Sequence, residues 1–229
     1  MQTIHVRALS IGAFALVAFA GYAAAQLPSS AILNALEVRK LVASADPGDN
    51  ARLSAHFAAL AERYTAEAKR HTAMAGAFGG NPNRRAGATS RTHCTRLAEL
   101  NTQSAATVRE LAAYHEKLAA GTPATAPRGG ARFEAGAGAP APSDKYLADL
   151  AAKASTPADH RGLEEYFLTA AKQYTADASE HVAMAQAYRG TRIAQAAVHC
   201  DRLVTLDRDA AKEANAAAVM HKDLAGIAR

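Results

Sequence analysis

The chain has 229 residues and a formal net charge of +5, too small a surplus to argue for a nucleic-acid partner. It has no Trp and only 6% aromatic residues, which disfavours an all-β sandwich or a large α/β enzyme. The 49% hydrophobic fraction is carried largely by alanine, which favours closely packed helices.

Residues 1–25 read as a signal peptide: a single Arg in MQTIHVR, an apolar stretch ALSIGAFALVAFAGY, and Ala23-Ala24-Ala25 before Gln26. The apolar stretch is short for a spanning helix, and no later segment is apolar enough to cross a bilayer. The expectation is a product exported to the periplasm or secreted, with no membrane span after cleavage.

The remainder reads as a duplication. Leu53 to Gly80 matches Leu163 to Gly190 at an offset of 110, with identities at Phe57/Phe167, Tyr64/Tyr174, His71/His181 and Met74/Met184. After a four-residue deletion the offset becomes 106, and His93-Cys94 matches His199-Cys200, with His115/His221 following. The first copy spans 26–120 and the second 144–229. Between them, 121–143 holds four of the eight prolines and has linker composition.

In chain order, a short helix is expected over Ala31 to Val42. Asp46-Pro47-Gly48-Asp49 then supplies a cap, a proline at the first helical position and an acid at the third. The helix it starts should run to Phe78, with Leu53, Phe57, Leu60, Tyr64, Ala68, His71, Ala75 and Phe78 on one stripe. GGNPNRRAG reads as a turn, and a second helix is expected over Thr89 to Ala119. Its stripe carries His93, Leu97, Leu100, Val108, Leu111, His115 and Leu118. The second copy repeats the scheme: a short helix near Tyr146 to Lys153, a start at Thr156-Pro157-Ala158-Asp159, and a turn near Gly190. One such hairpin buries too little surface to stand alone. The fold class expected is therefore all-α, a four-helix bundle built from two tandem helical-hairpin repeats.

Three repeated histidine pairs fall on the apolar stripes: His71/His181, His93/His199 and His115/His221. A polar group there must be hydrogen-bonded or ligate something. His71 and Met74 are i, i+3 neighbours, as are His181 and Met184. His93 and His115 share a face but lie about 33 Å apart along one helix, so they cannot share a site. If the hairpins pack with opposite ends adjacent, His221 can join His71 and His93, while His115 joins His181 and His199. The candidate metal ligands are thus His71, Met74, His93, Cys94, His115, His181, Met184, His199, Cys200 and His221. Imidazole with thioether and thiol suits copper, or zinc if the thioether is a bystander.

Two other readings stand beside this one. The repeated histidines can be structural, hydrogen-bonded to Tyr64 and Tyr174 or to a buried acid. Haem held between His and Met is the third reading, although no C-x-x-C-H is present for covalent attachment. The two cysteines, Cys94 and Cys200, occupy equivalent positions, and an inter-repeat disulfide is the leading expectation, with thiol ligands or free thiols as alternatives. His56 and His160 have no His counterpart and are expected at the surface or in caps. No nucleophile–base set, phosphate loop or paired carboxylates stands out, so no enzyme activity is expected.

The helix start at Asp159-His160, the H-x-x-M-A run, the His-Cys pair and the late His together resemble a group of small, alanine-rich, secreted bacterial helical-bundle proteins; Asp49-Asn50 departs from that helix start. The resemblance covers Asp46 to Ala120 and Thr156 to Gly226. It implies a helical fold and carries no mechanism.

Overall fold

A computed structural model describes residues 32–44, 46–120 and 142–227, with the backbone alone for 84–86. The expected signal segment and linker residues 121–141 lie outside the described residues. The protein is all-α, with six helices and no strand among the described residues: α1 (Ala35–Ser44), α2 (Pro47–Gly79), α3 (Arg84–Ala119), α4 (Asp144–Lys153), α5 (Pro157–Tyr188) and α6 (Ala196–Ile227). No helix among them is long and apolar enough to cross a membrane.

The helix starts follow the capping chemistry. Asp46 accepts a hydrogen bond from the Gly48 N–H ahead of Pro47. Thr156 and Asp159 form a reciprocal capping box ahead of α5. Ser143, expected as the last linker residue, caps α4.

One boundary differs from expectation. Helix α3 begins at Arg84 and not at Thr89, so the GGNPNRRAG turn is shorter than it reads. The Asn81 side chain explains the tight reversal. Its amide donates to the Ala151 and Ala154 carbonyls of α4, and its oxygen accepts from the Asn83 N–H. Gly87 is required there, because a Cβ would sit 2.6 Å from the Phe78 carbonyl oxygen.

Helix α2 packs along α3, α5 along α6, and α3 against α6. Alanine dominates the buried face of α6 (Ala210, Ala211, Ala214, Ala217), which lets it approach its neighbours closely. The backbones of α2 and α5 nowhere come within 8 Å of each other. Helices α1 and α4 each contact both of them, one at each end of the molecule.

Two hydrophobic clusters result. One joins α1 to Phe57, Leu60, Leu111, Tyr188 and Cys200; the other joins α4 to Phe78, Leu97, Phe167 and Cys94. Full burial of a Leu or Phe is worth about 1.5–3 kcal/mol, so these ends hold the fold together. Each cluster draws the loop end of one helix pair and the open end of the other, so the pairs pack head to tail.

This packing overturns the expected disulfide. Cys94 and Cys200 are free, buried thiols in opposite clusters. Equivalent residues in head-to-tail pairs go to opposite ends of the molecule and do not meet.

Candidate functional site in the polar core

Between and within the two clusters the core carries polar groups in matched sets. At the α1 end, His115 of α3 is enclosed by Phe57, Tyr114 and Tyr188. Its Nδ1 lies 2.8 Å from Asn50 Oδ1 and its Nε2 2.8 Å from the Tyr188 hydroxyl, so both ring nitrogens are satisfied. The chemistry fixes the tautomer: Nδ1–H donates to the amide oxygen, and the Nε2 lone pair accepts from the tyrosine.

At the α4 end the equivalent ring is His221 of α6, stacked on Phe78, Phe167 and His160. Asn50 is replaced by His160, and Tyr188 by Phe78, which has no hydroxyl. His221 Nδ1 faces His160 Nδ1 at 3.2 Å, and His221 Nε2 is buried with no hydrogen-bond partner.

The middle of the molecule holds a second matched pair. In one set the Tyr64 hydroxyl (α2) donates to Asp207 (α6) at 3.1 Å, and His181 Nδ1 (α5) lies 2.8 Å from the same carboxylate. In the other, the Tyr174 hydroxyl (α5) lies 3.4 Å from His71 Nε2 (α2) and accepts from the Asn101 amide (α3) at 2.7 Å. Asn101 stands where the other set has Asp207. Consequently His71 Nδ1, the counterpart of the bonded His181 Nδ1, has no partner, and neither does Asn101 Oδ1. Each set crosses between helix pairs, and Arg63 of α2 adds an ion pair to Asp177 of α5 at 2.8 Å.

Burial sets the charge states. It pushes His71 and His221 down to about 3, the former helped by Arg70 and the latter by His160 and His93. It lowers His115 to about 4 and raises the Asp207 carboxyl against the opposing bonds from His181 and Tyr64. The rings of His71, His115 and His221 are therefore neutral at pH 7 and carry a lone pair each. Both thiols are pushed up to about 12 by burial.

The register of α2 against α3 follows from the Asn50–His115 contact. Twenty-one residues along each helix it places His71 level with Cys94, with Met74 one turn on. The His160–His221 contact places His181 level with Cys200 in the same way. Met74 and Cys94 share the α4-end cluster, and Met184 and Cys200 share the α1-end cluster.

The remaining histidines correct the sequence reading. His93 and His199 leave the core stripe, which Cys94 and Cys200 occupy instead. They turn outward to clasp the opposite helix pair, His93 to Glu213 at 2.6 Å and His199 to Glu110 at 3.3 Å. The helix pairs do pack with opposite ends adjacent, but Phe167 stacks against both His71 and His221, and His181 turns to Asp207. Among the described residues no three His, Cys, Asp or Glu side chains are grouped to hold a metal ion. His56 and His160, expected at the surface or in caps, are buried; His56 Nδ1 accepts from the Leu33 N–H ahead of α1. The Asp159-His160 sequence beside the late His221 was the signal for His160. The Asp49-Asn50 start beside His115 marked Asn50 in the same way, and nothing in the sequence marked Asn101 or Asp207.

The chain matches no known protein family, no curated protein and no solved structure.

Proposed function

We propose that this protein is an exported, periplasmic bundle of two tandem helical hairpins that binds a transition-metal ion, copper first and zinc second, at the Cys94 end of its core. His71, Met74 and Cys94 are the ligands. The observation that carries the reading is His71 Nδ1: a fully buried, neutral imidazole nitrogen without a hydrogen-bond partner, level with a buried thiol and one turn from a buried thioether. A nitrogen, a thiolate and a thioether form a soft donor set that suits Cu(I). The equivalent His181 is already engaged by Asp207, so the Cys200 end is not a second copy of this site.

The thiol is protonated in the apoprotein and must lose its proton to the solvent when the ion binds. Affinity is expected to rise about tenfold per pH unit across the neutral range, where Cys94 is far below its raised value.

A second reading holds for the α1 end. His115 has both nitrogens bonded to protein and His181 Nδ1 is held by Asp207, which supports a structural role for both.

The test is an anaerobic Cu(I) titration of the purified protein against a chromogenic chelator, with Cys94→Ala and Cys200→Ala side by side. The reading expects binding lost at one site in Cys94→Ala and unchanged in Cys200→Ala. Equal effects of the two substitutions, or no binding at all, would refute it.

A further inference from the structure

We propose that α4 is a displaceable lid over the Cys94 end of the core, and that its opening admits an ion to His71, Met74 and Cys94. The identity of what enters rests on the metal-binding reading; the lid itself rests on the placement of α4.

His71, Met74 and Cys94 are each 0% exposed, so nothing reaches them while the bundle is closed, and some element has to move. Helix α4 lies over them. Its first residue, Asp144, pairs with Arg70 of α2 at 2.5 Å. Near its other end the Ala151 and Ala154 carbonyls accept from the Asn81 amide, just beyond α2, at 3.0 and 3.2 Å. Arg70 to Asn81 is a rise of about 16 Å, and Asp144 to Ala154 one of about 15 Å. Helix α4 therefore runs parallel to α2, along the stretch that carries His71 and Met74. It contacts both α2 and α5 where their own backbones stay apart, and Leu147, Ala151 and Ala154 share one cluster with Met74 and Cys94.

Of the elements around the site, α4 is the one held least. Helices α2, α3, α5 and α6 run 32 to 36 residues each, and α4 has ten. Leu147 is the one large apolar side chain that α4 buries fully; Ala151 adds little area. The Arg70–Asp144 pair is open to water, with the Asp144 side chain 59% exposed, and a pair of that kind holds weakly. The buried Asn81 amide is the firmer tie. At the other end α1 buries Val38, Leu41 and Val42, and the Leu33 N–H ahead of it is bonded to His56. Segments with few buried apolar contacts open at the lowest free energy, so α4 lifts while the four long helices stay packed. Cys200, in the cluster that α1 covers, stays shut when α4 opens.

The test is the rate at which N-ethylmaleimide labels each thiol of the native chain, read by peptide mass spectrometry. Leu147→Ala removes the apolar anchor of α4, and Asp144→Ala removes its surface tie; circular dichroism checks the fold of both. Cys94 labelling is expected to rise at least about tenfold in Leu147→Ala and by less in Asp144→Ala, with Cys200 unchanged in each. Equal acceleration of both thiols marks global unfolding and overturns the lid. So does an unchanged Cys94 rate in folded Leu147→Ala. Cu(I) uptake from a chromogenic chelator, followed anaerobically in the same variants, is expected to quicken in step with Cys94 labelling. Uptake at the wild-type rate in a chain whose Cys94 labels faster overturns α4 as the way in. Labelling that follows α4 with no Cu(I) bound by any variant or by the wild type sinks the metal-binding reading and leaves the lid standing.

Discussion

His115 and His221 occupy equivalent places at opposite ends of one molecule, yet their surroundings have diverged. His115 sits among Asn50, Phe57 and Tyr188 with both nitrogens bonded; His221 sits among His160, Phe167 and Phe78 with one nitrogen unpartnered. The same asymmetry recurs at mid-height, where Asp207 engages His181 Nδ1 and Asn101 leaves His71 Nδ1 open. Three substitutions, Asn50 against His160, Tyr188 against Phe78 and Asp207 against Asn101, separate the bonded rings of His115 and His181 from those of His221 and His71, although the α1 end keeps an unpartnered nitrogen of its own in His56 Nε2. A buried polar group without a partner costs about 1–3 kcal/mol.

The largest expected effect would expose the shared weakness of both ends. His56, His71, His115 and His221 are neutral and buried, with values driven down to between about 3 and about 4 by burial. In the unfolded chain they titrate near 6.5, so below that pH the unfolded state binds more protons and is favoured. Stability is therefore full above about pH 6.5 and falls as pH drops towards the folded values. Each ring contributes a loss of about 1.4 kcal/mol per pH unit. Chemical denaturation from pH 7.5 to 5 should show a loss of several kcal/mol; a flat profile would mean that these rings are charged or exposed.

Opening the closed end comes next. Asp207→Ala strips the acceptor from both His181 and Tyr64, and a loss of about 2–4 kcal/mol is expected in urea unfolding. Asn101→Ala, at the position already open, should cost visibly less. Equal losses would remove the distinction between the two sets. Tyr188→Phe copies Phe78 into the α1 end and orphans His115 Nε2, for an expected cost of about 1–2 kcal/mol.

The smallest effect runs the other way. Phe78→Tyr offers His221 Nε2 the hydroxyl that His115 enjoys, and a gain of up to about 1 kcal/mol is expected in the same assay. Destabilisation would show that the space beside Phe78 cannot admit an oxygen.

The helical architecture was largely legible in the sequence. Capping at Asp46 and Thr156 and the apolar stripes led to α2 and α5 directly, and the repeat led from one half to the other. The turn before α3 was misread because Asn81 anchors it to α4, a contact 70 residues away that no local pattern records. The disulfide was misread because equivalent positions meet only if they lie on the symmetry axis, and Cys94 and Cys200 lie near opposite ends. His93 was placed in the core because one residue of helical phase separates it from Cys94, and only the packed partner decides which of the two faces inward. The openness of His71 and His221 was not visible at all, since it depends on Asn101 and Phe78 from other helices.

The central claim is that the Cys94 end is free to take a ligand and the Cys200 end is not. The most direct measurement is a long-range ¹H–¹⁵N spectrum of the imidazole side chains, recorded with and without Cu(I) under anaerobic conditions. The account predicts that the His71 nitrogens shift while those of His115 and His181 stay in place. Shifts at His115 or His181, or no shift at any histidine, would contradict it.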